Sequence, residues 1–235
     1  MKKIKIAKCL TLMAAGAFCA LAILGSKSTD NNKDTENNNT DNSESKNNDN
    51  KDQEQLILTK SENNNPTAFI KVKDLGVMEF ELYPSVAPNT VNNFIYLANS
   101  GFYDNLLFYR IIKDFCIQGG SPNNLSSGKP DYSIKGEFDS NDIHNDLSHK
   151  KGTISMARLS DKDSAGSQFF ITTSNCTDLD GNYAAFGRIT NGIDILMNIN
   201  NFETDELNDR PLKDVVIESI SVDTKGLTYS LPEKI

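Results

Sequence analysis

Residues Phe108 to Gly120 read FYRIIKDFCIQGG, with one Arg and one Gln among apolar and aromatic residues. Two β-rich runs, Leu107 to Ile112 and Phe115 to Gln118, lie on either side of a polar Lys-Asp pair. Short runs rich in aromatic and β-branched residues, bounded by polar residues, are typical of strands. An Arg in such a run is either a side chain whose charge reaches the surface or a functional residue.

The sequence before this stretch predicts a β-hairpin followed by a helix. Ala68 to Lys73 and Val77 to Leu82 are near-alternating runs around a Gly-containing turn, as expected of paired strands. We expect the helix to be capped by Asn89-Thr90, to continue through Ala98 and to end at Gly101.

The sequence after it contains more short strands and one further helix. The strands are predicted at Thr153 to Ala157, Gln168 to Thr172, Ala184 to Ile189 and Val215 to Val222, and the helix at Gly192 to Asn200. In the last strand, alternation predicts Val216, Glu218 and Ile220 on one face and Val215, Ile217 and Ser219 on the other. Many short strands with two helices predict a mainly β fold, either a closed antiparallel barrel or a sandwich.

The first 65 residues lack the composition of a folded domain. Lys2, Lys3, Lys5 and Lys8 precede an uncharged apolar run from Cys9 to Gly25, which is the order of a secretory signal over residues 1–25. Three outcomes are open: cleavage near Ala20-Leu21-Ala22, lipid attachment at Cys19, or retention as a signal anchor. Residues 26–65 are rich in Asn, Asp and Lys and predict a disordered tether.

One folded domain is therefore expected over residues 66–224, followed by a C-terminal tail over residues 225–235. The export signal places this domain at the cell surface or the outer face of the cytoplasmic membrane, with secretion as the alternative. We expect a monomer, with membrane attachment, if any, through the N-terminus.

Charge and residue content exclude several partners and cofactors. The formal net charge is −8, and no Lys/Arg cluster follows the signal, so nucleic acid is not expected as a partner. His144, His149, Cys116 and Cys176 do not have the spacing of a zinc site, and neither a metal nor another cofactor is expected. The sequence leaves open whether the two thiols form a disulfide.

Two further motifs complete the pattern of the Arg110 stretch. They are Ser155-Met156-Ala157-Arg158 with the following GSQFFI run from Gly166 to Ile171, and the LDGNYAAFGR run from Leu179 to Arg188. In this order and spacing, the three motifs resemble the cyclophilin family of peptidyl-prolyl isomerases. The resemblance extends over essentially all of Thr67 to Val222.

The resemblance implies a closed eight-stranded antiparallel barrel capped by two α-helices, with a substrate groove on its outer wall. It also implies a catalytic role for Arg110 and substrate-binding roles for other residues. These are the groove glutamines Gln118 and Gln168, the proline-pocket walls Phe115, Phe170 and Leu179, the backbone-binding segment Ala157-Arg158, and the further substrate-binding residues Cys116 and Tyr183. Phe169 is expected in the core, because alternation places it opposite Phe170.

The implied chemistry agrees with what X-Pro rotation requires. The barrier to rotation arises from amide resonance, about 18–20 kcal/mol for a peptide bond. A guanidinium near the prolyl nitrogen or the neighbouring carbonyl would stabilise the twisted state, while an apolar slot holds the ring. The expected substrates are proline-containing polypeptides, in particular unfolded exported proteins. The alternative is a module that binds proline peptides as a chaperone with little turnover.

Three positions depart from the family pattern. Cys116 lies where many members have Met, and Tyr183 where eukaryotic members commonly have His. Asp178 lies at or next to the position where cyclosporin-sensitive members have Trp. Replacing Trp with Asp removes an apolar wall and an N–H donor, so we expect weak cyclosporin binding.

Overall fold

The computed structural model describes residues 64–235, which contain eight strands and two α-helices. The signal and nearly all of the tether lie outside the described residues. The strands are β1 (Thr67–Val72), β2 (Gly76–Leu82), β3 (Arg110–Ile112), β4 (Cys116–Gly119), β5 (Thr153–Met156), β6 (Phe169–Thr172), β7 (Ala185–Asn191) and β8 (Ile217–Asp223). The helices are α1 (Pro88–Asn99) and α2 (Ile193–Asn200), and single 3-10 turns occupy Asp139–Asn141 and Thr177–Leu179.

All eight strands belong to one antiparallel sheet in the order β3-β4-β6-β5-β7-β2-β1-β8. The mainly β class with two helices is confirmed, but the prediction of a closed barrel is wrong. Between the two edge segments, the only bridge among residues 64–235 joins Leu107 to Val216, before β3 and β8 begin. Within β3, the Ile111 N–H instead donates to the carbonyl of Asp209, 2.8 Å away in a loop. The sheet is therefore curled but open at this seam.

An aromatic core fills the concave side of the sheet beneath α1. The Phe94 ring lies 5.6 Å from the Phe169 ring and 5.1 Å from the Phe186 ring, measured between centroids. Phe169 belongs to this core and Phe170 to a separate apolar cluster, as the alternation of β6 predicts. Phe169 and Phe170 are both fully buried, so one face of β6 packs into the aromatic core and the other packs into the separate apolar cluster.

The start of α1 differs from the prediction, because Asn89-Thr90 do not cap it. Ala87 precedes the helix without a side-chain cap, and the carboxylate of Glu137 accepts the backbone N–H groups of Asn89 (3.0 Å) and Thr90 (2.7 Å). A buried acidic group at a helix N-terminus satisfies these N–H groups and complements the helix dipole. The cap is supplied by a residue that is distant in sequence.

Strand β8 also departs from simple alternation. Its pairing with β1 shifts register between Lys71 and Val72, and this irregularity leaves both Ile217 and Ile220 buried. The prediction that they lie on opposite faces is wrong, because a bulge inserts a residue between them.

The last residues of the chain are attached to the domain by backbone hydrogen bonds. Ser133 and Ile235 exchange N–H···O bonds of 3.1 and 2.9 Å, and the side chain of Asn89 bonds both backbone groups of Glu233. No helix among residues 64–235 is long and apolar enough to cross a membrane.

Candidate active site

The central feature of the site is a row of residues that crosses four strands. Arg110 on β3 is paired with Gln118 on β4, Gln118 with Phe170 on β6, and Phe170 with Ser155 on β5. The Arg110 Nη1 donates to Gln118 Oε1 at 3.2 Å, and the Arg110 residue is only 7% exposed. A guanidinium this buried needs partners, and the predicted glutamine is one of them.

The second partner of Arg110 is Asp209, which sequence reasoning missed. Arg110 Nε donates to Asp209 Oδ2 at 3.3 Å, and Nη2 lies 3.3 Å from the same oxygen. The Asp209 backbone has a φ of 59°, in the left-handed region that Asp adopts more readily than most residues. Asp209 therefore contacts β3 twice, through its carbonyl to Ile111 and its carboxylate to Arg110.

Tyr109 joins the two predicted groove glutamines. Gln118 Nε2 donates to the Tyr109 hydroxyl at 2.6 Å and to Gln168 Oε1 at 3.0 Å, and the hydroxyl donates to Gln168 Oε1 at 2.5 Å. Burial raises the pKa of Tyr109 far above its ordinary value, so the hydroxyl keeps its proton and remains a donor. Gln168 Nε2 continues the network to the carbonyls of Ser126 and Gly128.

This network orients both amides without ambiguity. Each oxygen and nitrogen of Gln118 and Gln168 has a bonded partner of the opposite kind, and flipping either amide would place two donors or two acceptors together. A fully satisfied buried network is rigid. Arg110 thus lies beside a fixed polar wall.

The predicted proline-pocket walls Phe115, Phe170 and Leu179 lie in one apolar cluster beside the row. Its buried members are Cys116, Ala157, Phe170, Cys176, Leu179 and Tyr183, with the partly buried Phe115 packed against them. The Tyr183 ring meets the Phe170 ring edge-on at 5.8 Å. The structure thus brings together the three predicted pocket walls with Cys116, Ala157 and Tyr183, which were also predicted to bind substrate, and adds Cys176. Neither Cys116 nor Cys176 is in a disulfide.

A buried histidine supports Phe170 from behind. The His149 ring is stacked on Phe170 with centroids 5.9 Å apart, and its Nδ1 and Nε2 lie 2.8 Å from Asp180 Oδ1 and 3.0 Å from Ser155 Oγ. Burial lowers the pKa of His149, although the Asp180 carboxylate opposes this effect. A neutral ring then donates from Nδ1 to Asp180 and accepts the Ser155 hydroxyl at Nε2. His149 therefore supports the Phe170 ring.

Arg158 lies over the apolar cluster. Its guanidinium carbon is 4.7 Å from the Tyr183 ring centroid and 5.1 Å from that of Phe138. Its Nε and Nη2 both donate to the Asn182 carbonyl, at 3.1 and 2.9 Å, which anchors the guanidinium. The adjacent Ala157 N–H bonds the Gln168 carbonyl at 2.9 Å, so this segment is fixed beside β6.

Arg110 also lines a cleft of about 520 Å³. Among the predicted site residues, Arg110, Gln118, Ala157, Arg158 and Gln168 line it. The other predicted substrate-binding residues, Phe115, Cys116, Phe170, Leu179 and Tyr183, do not. The apolar cluster and the cleft adjoin each other, because Ala157 belongs to both.

Sequence reasoning missed two residues, Tyr109 and Asp209, and the sequence near each offers a different amount of information. Tyr109 is next to Arg110, but alternation would place it on the opposite face; β3 begins only at Arg110, so alternation does not apply. Asp209 lies in a loop with no periodic pattern, and nothing local links it to Arg110. Among residues 64–235, no group of three or more His, Cys, Asp or Glu residues could hold a metal ion.

Comparison with known proteins gives a consistent match to this geometry. The family model for cyclophilin type peptidyl-prolyl cis-trans isomerase matches residues 67–222. Peptidyl-prolyl cis-trans isomerase B of Bacillus subtilis is 44% identical over 135 residues, which are 57% of this chain and 91% of the relative. Isomerase CYP18-2 of Arabidopsis thaliana is 38% identical over 144 residues, which are 61% of this chain and 85% of the relative.

The solved structures agree. A cyclophilin type peptidyl-prolyl cis-trans isomerase of Cryptosporidium parvum, crystallised in the presence of the dipeptide Ala-Pro, is similar with a TM-score of 0.61 and 32% sequence identity. The match covers 67% of this chain and 98% of that one.

Proposed function

Because the chain belongs to the cyclophilin-type peptidyl-prolyl cis-trans isomerase family, we propose that it rotates X-Pro bonds at Arg110 and thereby assists the folding of exported polypeptides. The isomerase activity itself follows from the family. The observation that supports Arg110 as the catalytic residue is its place in the lining of the cleft, with its guanidinium held by Gln118 and Asp209. The cleft shares Ala157 with the apolar cluster, so a proline ring bound against the cluster would bring its preceding peptide bond into the cleft.

Arg110 acts by favouring the twisted peptide bond. In that state the prolyl nitrogen loses conjugation and gains lone-pair character, which an N–H donor can stabilise. Asp209 holds the guanidinium at Nε and Nη2 and Gln118 holds it at Nη1, so the second N–H of each Nη is left for the substrate. Donors fixed before the reaction need no reorganisation as charge develops. No nucleophile and no proton transfer are required.

The apolar cluster holds the ring while the preceding carbonyl rotates. Phe170 and Leu179 are rigidly packed, and His149 and Tyr183 fix the Phe170 ring from two sides. Proline-containing peptides are the substrate class, which agrees with the Ala-Pro dipeptide present with the Cryptosporidium parvum relative. Peptide backbone is expected along Ala157-Arg158.

The role in export is supported by the N-terminal sequence. A basic start, an apolar run and a polar Asn-rich segment precede the domain, in the order of a signal and a tether. The enzyme would then act at the outer face of the cytoplasmic membrane, or in the medium if the signal is cleaved and not lipidated. Mass spectrometry of the mature N-terminus and fractionation of the producing cells test this location. An intact N-terminus on soluble cytoplasmic protein would contradict it.

The catalytic assignment is tested with Arg110→Ala and Arg110→Lys in a protease-coupled proline-peptide assay. Loss of one preorganised donor group commonly costs a factor of about 10²–10³ in rate, and we expect a loss of that size for Arg110→Ala. Lys keeps the charge but cannot contact Gln118, Asp209 and substrate together, so it should rescue little. Thermal melting checks that both variants fold. Unchanged turnover in a folded Arg110→Ala protein would contradict the assignment.

The same experiment separates turnover from binding alone. If the natural chain bound proline peptides without accelerating isomerisation, the binding-module alternative would replace an enzymatic role.

A further inference from the structure

The cleft beside Arg110 is positively charged although the protein is acidic. Arg110, Lys129, Arg158 and Arg210 line it, and no Asp or Glu does. The whole chain has 32 Asp and Glu residues against 24 Lys and Arg. A random sample of residues from this chain would contain more carboxylates than cations. The positive charge of the cleft is therefore a local property.

Two of these cations have no carboxylate partner. Arg110 is compensated by Asp209, and the Arg210 Nη2 lies 3.9 Å from Asp214 Oδ1. In contrast, neither Arg158 nor Lys129 is within ion-pair distance of an acidic side chain of residues 64–235.

The hydrogen bonds of these two cations leave their charge uncompensated. Arg158 donates only to backbone carbonyls, those of Leu159, Ser160 and Asn182. Lys129 donates to the Ser133 hydroxyl at 3.3 Å. These bonds fix the direction of the side chains but do not neutralise them. The cleft therefore keeps a positive potential that an anionic ligand group would lower in energy.

The same cleft also has exposed leucines. Leu125, Leu159 and Leu207 line it and are 53%, 42% and 92% exposed. Single exposed apolar residues are common on any surface, but three around one cleft form an apolar rim that indicates a binding site. Apolar and cationic groups together suit a peptide with both apolar and acidic side chains.

We propose that this cleft selects proline substrates that have an acidic side chain, accompanied by an apolar one, within a few residues of the X-Pro bond. This inference rests on the proposed function, since it places the X-Pro bond at Arg110. An extended peptide advances about 3.3 Å per residue, so positions next to the bond lie in the cleft while the ring occupies the apolar cluster. A screened ion pair changes an equilibrium constant by up to about fivefold, and Lys129 and Arg158 can both contribute.

The test compares peptides that differ only in charge. A short peptide with one X-Pro bond is made with Glu, Gln or Lys at each of the two positions on either side of the bond, with Leu as its neighbour. Isomerisation is measured by NMR exchange, which avoids the sequence preference of a coupling protease. At one position or more, we expect kcat/KM for Glu to exceed that for Gln about threefold, with Lys below Gln. The difference should shrink in about 0.5 M salt, because screening shortens the range of the interaction.

A matched pair of variants locates the effect. Lys129→Gln should reduce the Glu-to-Gln ratio, whereas Lys73→Gln removes the same charge from an exposed position outside the cleft lining and should leave the ratio unchanged. Equal rates for Glu, Gln and Lys peptides at every position, with robust isomerisation, would overturn the substrate class alone. A ratio that responds equally to both variants would also overturn it, because the preference would then reflect overall charge. No acceleration of any peptide would overturn the proposed function together with this inference.

Discussion

Asp209 is expected to hold the guanidinium of Arg110 in its working orientation, and Asp209→Gly should slow isomerisation about tenfold. Hydrogen bonds to charged groups contribute about 1.5–3 kcal/mol. The Asp209 side chain is 32% exposed, so solvent screening reduces this, and about 1.4 kcal/mol corresponds to a tenfold change in rate. Gly is chosen because the φ of 59° suits it without strain, and the backbone bond from Ile111 is retained.

The assay separates positioning from binding. Loss of orientation should lower kcat more than peptide affinity, measured by NMR exchange and by titration of the same peptide. Asp209→Asn keeps an acceptor oxygen and tolerates the same φ, so it should lose less activity than Asp209→Gly. Asp214→Asn is the control, since it removes a charge from the same loop without contacting Arg110. In Asp209→Gly, the Nε–H resonance of Arg110 should shift and exchange faster with water.

Two results would refute this reasoning. One is wild-type kcat in folded Asp209→Gly while Arg110→Ala is inactive, since Arg110 would then need no second partner. The other is an unchanged Nε–H resonance, which would show that the contact is absent in solution.

Three further predictions concern drug binding, pH and folding. Cyclosporin should inhibit the isomerase weakly, because Asp178 is exposed next to Leu179 and offers no apolar wall. Asp178→Trp should lower the inhibitory concentration, and no gain in inhibition would contradict this. The lowered pKa of His149 means that the unfolded chain takes up the proton first, so stability should fall as pH drops below about 6.5. Melting temperatures at about pH 5 and about pH 7.5 check this, and the same pH dependence in His149→Gln would assign it to other groups. Glu137→Gln should lower the free energy of unfolding, measured in urea, by about 1–2 kcal/mol, because α1 loses its cap. Glu233→Gln, at an exposed position, is the control, and equal effects of the two variants would argue against the cap.

The sequence was sufficient where structure depends on local pattern. The ends of the predicted hairpin runs lie within one residue of the ends of β1 and β2. The agreement is this close because alternation and the intervening turn are both encoded locally. The strand predicted from Leu107 is shorter and begins at Arg110, because the Leu107 N–H bonds the side chain of Asn124 and the Phe108 N–H bonds Val215 across the seam. The observed strand boundaries differ from the predicted ones where the partner segment, and not the local sequence, decides where pairing begins.

The missed features all depend on contacts between distant segments. The carboxylate of Glu137 caps a helix 47 residues earlier, and Asp209 pairs with an Arg 99 residues away. The bulge in β8 follows from its register with β1, which no pattern within β8 contains. The predicted barrel did not close for a similar reason, since Ile111 bonds to the loop at Asp209 and not to β8.

Strand register explains why the site residues could be found from motifs. Arg110, Gln118, Phe170 and Ser155 are successive partners across four strands, so a shift of one residue in any pairing would move one member to the opposite face. The fully buried Phe169 prevents such a shift in β6, because the shift would exchange Phe169 with Phe170 and put Phe170, a predicted proline-pocket wall, into the aromatic core. The core that stabilises the domain therefore also sets the position of Phe170 relative to Arg110. Core substitutions at Phe169 should accordingly reduce turnover as well as stability, even though Phe169 itself is outside the cleft lining.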